Sequence, residues 1–166
     1  EDPKRPGLRE TPERVARALY AMTRGMEDDP AKVLKVFNEG HDEMVVLRGV
    51  PFASLCEHHL MPFSGLATVA YLPRRGRIAG LSKLARVVDV FARRLQTQER
   101  ITAQVAVALM EPPLRALGAG VILRASHSCL SCRGAEKAGA EMVTSAMLGA
   151  FRGDASARAE LLGLAR

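Results

Sequence analysis

The chain of 166 residues is poor in cysteine and in aromatic side chains. Its three cysteines, a small and odd number, argue against a disulfide scaffold and favour a reducing compartment. Tryptophan is absent and aromatic residues make up 4% of the chain, which leaves little for the stacking platforms that bind single-stranded nucleic acids. No apolar run approaches the ~20 residues of a membrane-spanning helix, and the first five residues lack the pattern of a secretory signal. We therefore expect a cytoplasmic protein without a membrane segment.

What the chain does have is enough apolar surface for one core and an excess of positive charge. The length and the 48% apolar content suit a single domain. Subtracting 18 acidic from 24 basic residues gives a net charge of +6. This excess favours an anionic partner, which could be nucleic acid, a membrane surface or a phosphorylated metabolite.

The pattern of apolar residues and helix caps predicts an α+β fold. The N-terminal segment predicts two helices, one that begins with Thr11 as the cap and ends at Gly25 and one from Asp29 through Phe37. The remainder predicts strands at 43–48 and 66–72, a helix capped by Ser82, a helix at 98–110, strands at 120–126 and 141–148, and a last helix capped by Asp154. The order β-β-α-α-β-β is typical of an antiparallel sheet with helices on one face.

Cysteine and histidine are concentrated in two short segments. His58 and His59 follow Cys56 within three residues, and His127 lies two residues before Cys129. Cys56 and His59 have the Cys-x2-His spacing that lets a thiolate and an imidazole reach one ion from a single turn, and Cys129 could supply a second thiolate. Soft sulfur together with imidazole favours zinc. An isolated cysteine or histidine is usually a core residue, but so few of them rarely cluster by chance.

Two kinds of zinc site fit this spacing. Cys129 and Cys132 form a Cys-x2-Cys pair, which could join the Cys-x2-His pair in a closed structural site with four ligands. A catalytic site would use three protein ligands and leave the fourth position to water. In that case the two remaining histidines, His58 and His127, could move protons near neutral pH. The residues alone leave both alternatives open.

A basic helix start is the second candidate site. The segment 80–86 opens a helix, where free backbone N–H groups and the helix dipole favour an anion. Ser82 would cap this helix, and Lys83 and Arg86 would project from one side of it, where a phosphate chain would fit. The alternative is a solvated basic surface. Arg133, close to the second cysteine segment, is a further candidate for binding phosphate.

A carboxylate at the start of the next helix is a candidate for reading a base. Glu99 is preceded by Gln98. A carboxylate can accept two N–H donors at once, and the Watson–Crick edge of guanine presents two. The alternative is a helix-terminal carboxylate that complements the helix dipole.

Together these motifs resemble GTP cyclohydrolase I in its zinc-dependent form. The resemblance covers essentially the whole chain in several spaced motifs that keep one order. It is carried by Gly7-Leu8-Arg9-Glu10-Thr11-Pro12, Cys56-Glu57-His58-His59, Gly80-Leu81-Ser82-Lys83-Leu84-Ala85-Arg86, Gln98-Glu99-Arg100, Ser126-His127-Ser128-Cys129 and Val143-Thr144-Ser145-Ala146-Met147. Cys132 departs from the family pattern, in which an apolar residue such as Met is expected.

The resemblance implies a tunnelling fold (T-fold), in which a four-stranded antiparallel sheet carries two antiparallel helices on one face. It implies that residues 1–40 form an N-terminal helical segment and residues 41–166 the catalytic domain of one continuous unit. The assembly implied is a homodecamer of two stacked pentamers with active sites between subunits. The reaction implied is the conversion of GTP and water to 7,8-dihydroneopterin triphosphate and formate, the first step of tetrahydrofolate or pterin biosynthesis, with Zn²⁺ as cofactor.

Matched position by position, the resemblance also implies a role for each candidate residue. The metal ligands would be Cys56, His59 and Cys129. The acid–base pair would be His58 and His127, with Ser82 near the ribose. Glu99 with Gln98 would hold guanine, and the triphosphate would lie on Lys83, Arg86 and Arg133. The alternative hypothesis is a non-catalytic basic domain whose structural Cys3His zinc site includes Cys132 and which binds nucleic acid or nucleotide.

Overall fold

The computed structural model describes residues 1–166, and its N-terminal part is helical. The elements there are helix α1 (Thr11–Thr23), a 3-10 turn (Arg24–Met26) and helix α2 (Pro30–Val33). The predicted first helix is confirmed, but its N-cap is Glu10 rather than Thr11. Pro12 therefore lies within the first turn, where its missing N–H costs no hydrogen bond.

The second helix is shorter than the sequence predicts. Asp29 caps it as expected, since its carboxylate accepts a hydrogen bond from a backbone N–H at 2.9 Å, but α2 ends at Val33 and not at Phe37. The backbone at Leu34 turns to an extended conformation, and its side chain is buried in the core. The next residues form strand β1 (Val36–Asn38). The helix prediction was wrong here because β1 depends on a strand partner that lies far along the chain.

The main sheet has five strands and not the predicted four. The remaining strands of the chain are β2 (Val45–Cys56), β3 (Pro62–Leu72), β4 (Arg77–Ala79), β5 (Leu95–Gln96), β6 (Gly118–His127) and β7 (Met142–Gly149). The order in the sheet is β5-β2-β3-β6-β7, and β1 pairs with β4 in a separate two-stranded sheet. The four long strands are antiparallel to their neighbours, whereas β5 runs parallel to the end of β2. Strands of two or three residues show too little periodicity to be recognised in a sequence.

The first two long strands extend beyond their predicted bounds. β2 continues past Arg48 to Cys56 through a bulge, where Gly49 has φ 72°, and β3 begins at Pro62 rather than Leu66. Glycine and proline interrupt the apolar pattern in both strands, but the hydrogen bonds to neighbouring strands hold them extended. The two predicted C-terminal strands are confirmed to within two residues, as β6 and β7.

Helices cover both faces of the sheet, and not one face only as the sequence predicts. On one face lie α3 (Leu81–Ala92) and α4 (Gln98–Met110), whose inward residues include Leu84, Val88, Ile101 and Val105, all fully buried. The opposite face packs against α6 (Ala150–Gly153) and α7 (Ala155–Leu164) through Phe151 and Leu161. The helix predicted to follow Ser82 is thus confirmed as α3, as is the cap of α7 by Asp154, whose carboxylate accepts from Ser156 N at 2.8 Å. None of these helices is both long and apolar enough to cross a membrane.

Candidate metal centre and active site

The register of the sheet brings the two cysteine segments together. β2 and β6 both run antiparallel to β3 and flank it, so both end at the edge where β3 begins. Leu55 lies opposite Pro62, and His127 lies opposite Phe63. Cys56 ends β2, and Cys129 follows the end of β6 in the short helix α5 (Ser128–Ser131). The two cysteines therefore emerge on either side of the same strand end.

A tight turn after β2 places His59 beside Cys56. The N–H groups of His59 and Leu60 donate to the Cys56 carbonyl at 3.3 and 2.8 Å, and the Cys56 N–H donates to the Met61 carbonyl at 2.9 Å. Leu60 takes a left-handed conformation with φ 54°, which closes the turn. The Cys-x2-His spacing thus acts as the sequence predicts, with both side chains on one turn.

The three predicted metal ligands converge. The ligand atoms of Cys56, His59 and Cys129 all lie within 4.8 Å of one another, and Cys56 Sγ is 3.7 Å from His59 Nδ1. Tetrahedral zinc, with bonds of about 2.3 Å to sulfur and about 2.0 Å to nitrogen, separates two such ligands by roughly 3.5 Å. Cys56, His59 and Cys129 could therefore hold a metal ion, and their donor types suit zinc.

Electrostatics at the two thiols also fits a bound cation. Burial raises the pKa of the Cys129 thiol, the neighbouring Cys56 raises it further, and Arg133 opposes the rise. The charged form of Cys129 is therefore disfavoured in this position. A divalent cation between the two thiols reverses this preference, since thiolates are its ligands.

Cys132 is not part of this group. Its side chain is exposed, and its Sγ lies 2.8 Å from the carbonyl oxygen of Ser128, one turn back in α5. The set of converging donors contains three residues and excludes Cys132. The closed four-ligand site that the spacing also allowed is therefore not formed.

His127 lies beside the metal group with its ring held from two directions. The ring stacks on Phe63 with centroids 4.4 Å apart and planes 5° apart. Its Nε2 is 2.8 Å from Gln98 Oε1. Burial lowers the pKa of His127, and the charge of Glu99 opposes that shift. The imidazole is accordingly neutral near pH 7, as a proton acceptor must be.

His58 is the exposed counterpart of His127. Its side chain is 64% exposed, and its Nδ1 lies 3.9 Å from Cys56 Sγ. The preceding residue, Glu57, forms a two-pronged ion pair with Arg100 on α4, in which Nη2 donates to Oε1 at 2.9 Å. The hydrogen bonds from Arg100 lower the pKa of the Glu57 carboxyl. This pair, which the sequence did not indicate, ties the ligand turn to the first turn of α4.

The start of α3 carries the predicted cations but not the predicted cap. The N-cap is Gly80 and the helix begins at Leu81, so Ser82 is exposed inside the first turn and caps nothing. The helix starts early because β4 ends at Ala79 and the chain turns at once: the N–H of Lys83 donates to the Gly80 carbonyl at 2.8 Å. Ser82 was therefore wrongly predicted as the cap, although its hydroxyl remains available to a ligand.

Three cations, not two, meet at this helix start. Partial burial lowers the pKa of Lys83, and the neighbouring charges of Arg86 and Lys35 lower it further. Lys35 was missed because it belongs to the N-terminal segment; its carbonyl accepts from Gly80 N at 3.0 Å, which joins the two segments. No hydrogen bond or ion pair within the chain connects these cations to the metal group.

Two of the remaining candidates, Glu99 and Arg133, are exposed. Glu99 is exposed in the first turn of α4, close enough for its charge to act on His127. Arg133 is exposed just after α5, close enough to act on Cys129. Gln98, in contrast, is fully buried. The two adjacent residues Gln98 and Glu99 thus lie in different environments.

Comparison with known proteins gives concordant results. The family model of GTP cyclohydrolase I matches residues 1–166. GTP cyclohydrolase 1 of Nitrosospira multiformis is 56% identical over 168 residues, which cover 99% of this chain and 87% of that protein. GTP cyclohydrolase 1 of Acetivibrio thermocellus is 50% identical over 165 residues, which cover 99% of this chain and 88% of that protein.

A solved structure supports the fold. The archaeosine synthase QueF-Like in the apo form is similar with a TM-score of 0.54 and 17% identity, over 66% of this chain and 96% of that chain. At this identity the likeness shows a shared α+β architecture and nothing about activity. Since the family model spans the full length and the relatives share half or more of the residues, the chain belongs to the GTP cyclohydrolase I family.

Proposed function

We propose that this chain is an enzyme that converts GTP and water to 7,8-dihydroneopterin triphosphate and formate. The observation that carries the proposal is the convergence of Cys56, His59 and Cys129 beside two histidines that a three-ligand site leaves free. A purely structural zinc site would need neither His58 nor His127. Family membership supplies the substrate, and the site supplies the groups that the chemistry requires.

The cofactor proposed is Zn²⁺. Cys56, His59 and Cys129 would hold it, and the three protein ligands leave one position of a tetrahedral ion open. When bound, zinc would act as a Lewis acid that makes a water molecule more acidic near neutral pH. The Glu57–Arg100 pair keeps the turn that carries Cys56 and His59 in place.

Proton transfer is assigned to His127 and His58. Opening the five-membered ring of guanine at C8 requires a proton to be accepted and another to be delivered to a ring nitrogen. His127 is neutral, with its ring fixed by Phe63 and Gln98, and is suited to accept a proton. His58 is exposed beside Cys56 and can exchange protons with solvent.

The substrate would be held at both ends. The Glu99 carboxylate would accept the two guanine N–H donors, and Lys83, Arg86 and Arg133 would bind the triphosphate, with Lys35 adding a further cation to the α3 start. Ser82 would lie near the ribose. Fixing both ends of GTP holds C8 at the metal group, which lowers the entropic part of the barrier.

We also propose the T-fold and the homodecamer of two pentamers, with active sites between subunits. Two surfaces of the chain support association. Strand β7 has a neighbour on one side only, and the apolar side chains Val15 and Leu19 of α1 are 49% and 38% exposed. Unpaired strand edges and apolar helix faces are surfaces that association covers. A location in the cytoplasm, where GTP is available, follows from the same proposal.

Turnover by the purified protein tests the reaction. Zinc-loaded protein is incubated with GTP, and formate and the pterin product are followed by chromatography beside a chelator-treated sample. We expect product that disappears with the metal and returns when zinc is restored. In parallel, Cys129→Ser should lose both zinc and turnover, whereas Cys132→Ser should keep both. A folded, zinc-replete and assembled sample without product would refute the proposal.

Complementation tests the shared site. At a GTP concentration far below the raised KM of Lys83→Gln, both Lys83→Gln and His127→Asn should have little activity as pure proteins. If one site combines residues from two subunits, co-assembly of the two variants would restore a fraction of wild-type turnover. Co-assembled protein that stays inactive would show that each chain supplies both groups to the same site.

A further inference from the structure

Both polar atoms of the Gln98 side chain have hydrogen-bond partners within the protein. Gln98 is the first residue of α4 and is fully buried. Its Nε2 donates to the carbonyl oxygens of Leu123 at 3.2 Å and Met142 at 2.9 Å, and to Thr144 Oγ1 at 3.1 Å. The carboxamide has two N–H groups for these three acceptors, so both are used.

These acceptors fix which way the carboxamide points. Backbone carbonyls can only accept, so the atom that faces Leu123 on β6 and Met142 on β7 must be the nitrogen. The oxygen of Gln98 consequently faces His127, where Oε1 lies 2.8 Å from Nε2. An oxygen of this kind cannot donate, so His127 Nε2 carries the proton. In the neutral ring the lone pair then lies on Nδ1.

Two threonines complete the arrangement. The hydroxyl of Thr102 donates to the Gln98 backbone carbonyl at 2.7 Å, which leaves its oxygen as an acceptor. Thr144 Oγ1 is 2.7 Å from Thr102 Oγ1 and therefore donates to it. This in turn leaves the Thr144 oxygen free to accept from Gln98 Nε2. The donor and the acceptor of each threonine hydroxyl in the Gln98–Thr102–Thr144 network are thus assigned.

The plane of the imidazole is set separately. Phe63 is almost fully buried and stacks on His127 with its ring nearly parallel. Stacking fixes the tilt of the ring, and the bond to Gln98 fixes its rotation within that plane. Neither contact uses Nδ1, so this nitrogen remains available to a substrate.

We infer that Gln98, together with Thr102 and Thr144, is a positioning residue that holds His127 as the Nε2–H tautomer and presents Nδ1 to the substrate. The inference rests on the proposed function, in which His127 moves a proton. It also changes the role that the sequence suggested for Gln98. With both N–H groups used inside the protein, Gln98 does not read guanine, and Glu99 alone is left for that task.

Kinetics of Thr144 variants tests the network without touching the residues that bind substrate. Thr144→Val keeps the shape of the side chain but removes the hydroxyl, so Gln98 keeps only its two backbone acceptors and Thr102 loses the hydroxyl that donates to it. The carboxamide is then held less rigidly, and we expect kcat to fall about 3-fold or more, short of the about 10-fold that loss of an orienting partner itself causes, with KM for GTP within about 2-fold of the wild type. Thr144→Ser, which retains the hydroxyl, should restore kcat to within about 2-fold.

A second threonine provides the matched control. Thr68 lies on β3 and lines a cavity on the opposite face of the sheet, beside Ile122 and the C-terminus. Thr68→Val makes the same chemical change and should leave kcat and KM unchanged. A Thr144→Val enzyme with wild-type kcat would overturn the inference. So would a raised KM at unchanged kcat, because that pattern would mean that the network serves substrate binding.

The tautomer can also be measured without turnover. In protein labelled with ¹⁵N-histidine, solid-state NMR at about pH 8 distinguishes protonated from unprotonated ring nitrogens, and His127→Asn identifies the His127 signals. We expect a proton on Nε2 and none on Nδ1 in the wild type. A proton on Nδ1 would overturn the inference. A wild type that makes no pterin would instead refute the proposed function, so the two failures are distinguishable.

Discussion

Replacing Tyr71 by phenylalanine should weaken the connection between the core and the start of α3, where we propose that the triphosphate binds. Tyr71 is fully buried on β3, and its hydroxyl oxygen accepts the N–H of Ala79 at 2.8 Å. Ala79 ends β4 directly before Gly80, the N-cap of α3. One hydroxyl therefore connects the central sheet to the residue from which the basic helix starts.

The expected cost follows from what Tyr71→Phe leaves behind. The ring and its packing are retained, but the Ala79 N–H loses its acceptor in a buried position. An unsatisfied buried donor costs about 1–3 kcal/mol, and we expect the free energy of unfolding to fall by that amount. Because the start of α3 becomes less ordered, KM for GTP should rise more than kcat falls.

The other tyrosine of the chain provides the control. Tyr20 is 62% exposed, and its hydroxyl is 3.3 Å from both carboxylate oxygens of Glu27. Tyr20→Phe should therefore change the free energy of unfolding by less than about 0.5 kcal/mol. Denaturant unfolding at one fixed protein concentration compares the variants, since association adds to stability. Equal stability of Tyr71→Phe and Tyr20→Phe would refute the reasoning.

Alkaline pH gives a second test of the same contact. Burial raises the pKa of Tyr71, and the hydrogen bond from Ala79 opposes part of the rise. The unfolded chain therefore loses this proton at a lower pH than the folded chain. The contribution of Tyr71 is complete below about pH 10 and declines as the pH rises toward the folded pKa. The stability gap between wild type and Tyr71→Phe should narrow above about pH 10, and a gap that widens there would contradict this sign.

Three further substitutions test other parts of the structure. Gly65→Ala would place a Cβ 1.8 Å from the Arg124 carbonyl oxygen and force β3 and β6 apart next to the Phe63–His127 pair. The free energy of unfolding should fall by about 3 kcal/mol or more, and turnover should be lost. Gly153→Ala, with nothing within 4 Å of the added carbon, should change neither stability nor turnover. Leu161→Ala should lower the free energy of unfolding by about 2–5 kcal/mol, and Leu162→Ala, at a side chain 43% exposed, by less than about 1 kcal/mol in the same denaturation assay. Arg86→Gln should raise KM for GTP about 10- to 100-fold at nearly unchanged kcat, since a charge-assisted bond contributes about 1.5–3 kcal/mol; an unchanged KM would remove Arg86 from the proposed binding site.

The parts of the fold that follow from local patterns were predictable. The apolar stripe of α3 repeats at helical spacing, and the structure buries that stripe. The Cys-x2-His pair acts through one turn, which its spacing already required. Cys129 is different, because it reaches the pair through the register of β2, β3 and β6. No local pattern contains that register, so the concentration of cysteine and histidine could suggest Cys129 as a ligand but could not show that it reaches the pair.

The parts that failed depend on partners distant in sequence. β1, β4 and β5 are two or three residues long and exist because another strand lies beside them. The N-cap of α3 is Gly80 rather than the predicted Ser82, because β4 ends at Ala79 and the helix begins directly after it. Lys35 lies beside Lys83 and Arg86 because its backbone carbonyl accepts a hydrogen bond from Gly80 N. Each case is a tertiary contact that decides a local outcome.

The prediction for Gln98 failed because adjacency in sequence was taken as a sign of a shared role with Glu99. Its neighbour Glu99 suggested a shared task, yet successive residues on a helix point in directions about 100° apart. Residues four apart share a face instead, and the residue four positions after Gln98 is Thr102, which bonds to it. The prediction that Gln98 and Glu99 act together on guanine overlooked this spacing, which couples Gln98 to Thr102 and separates it from Glu99. Which of the two faces lies against β6 and β7 is decided by packing: Gln98 and Thr102 are buried there, and Glu99 is left at the surface where a substrate can reach it.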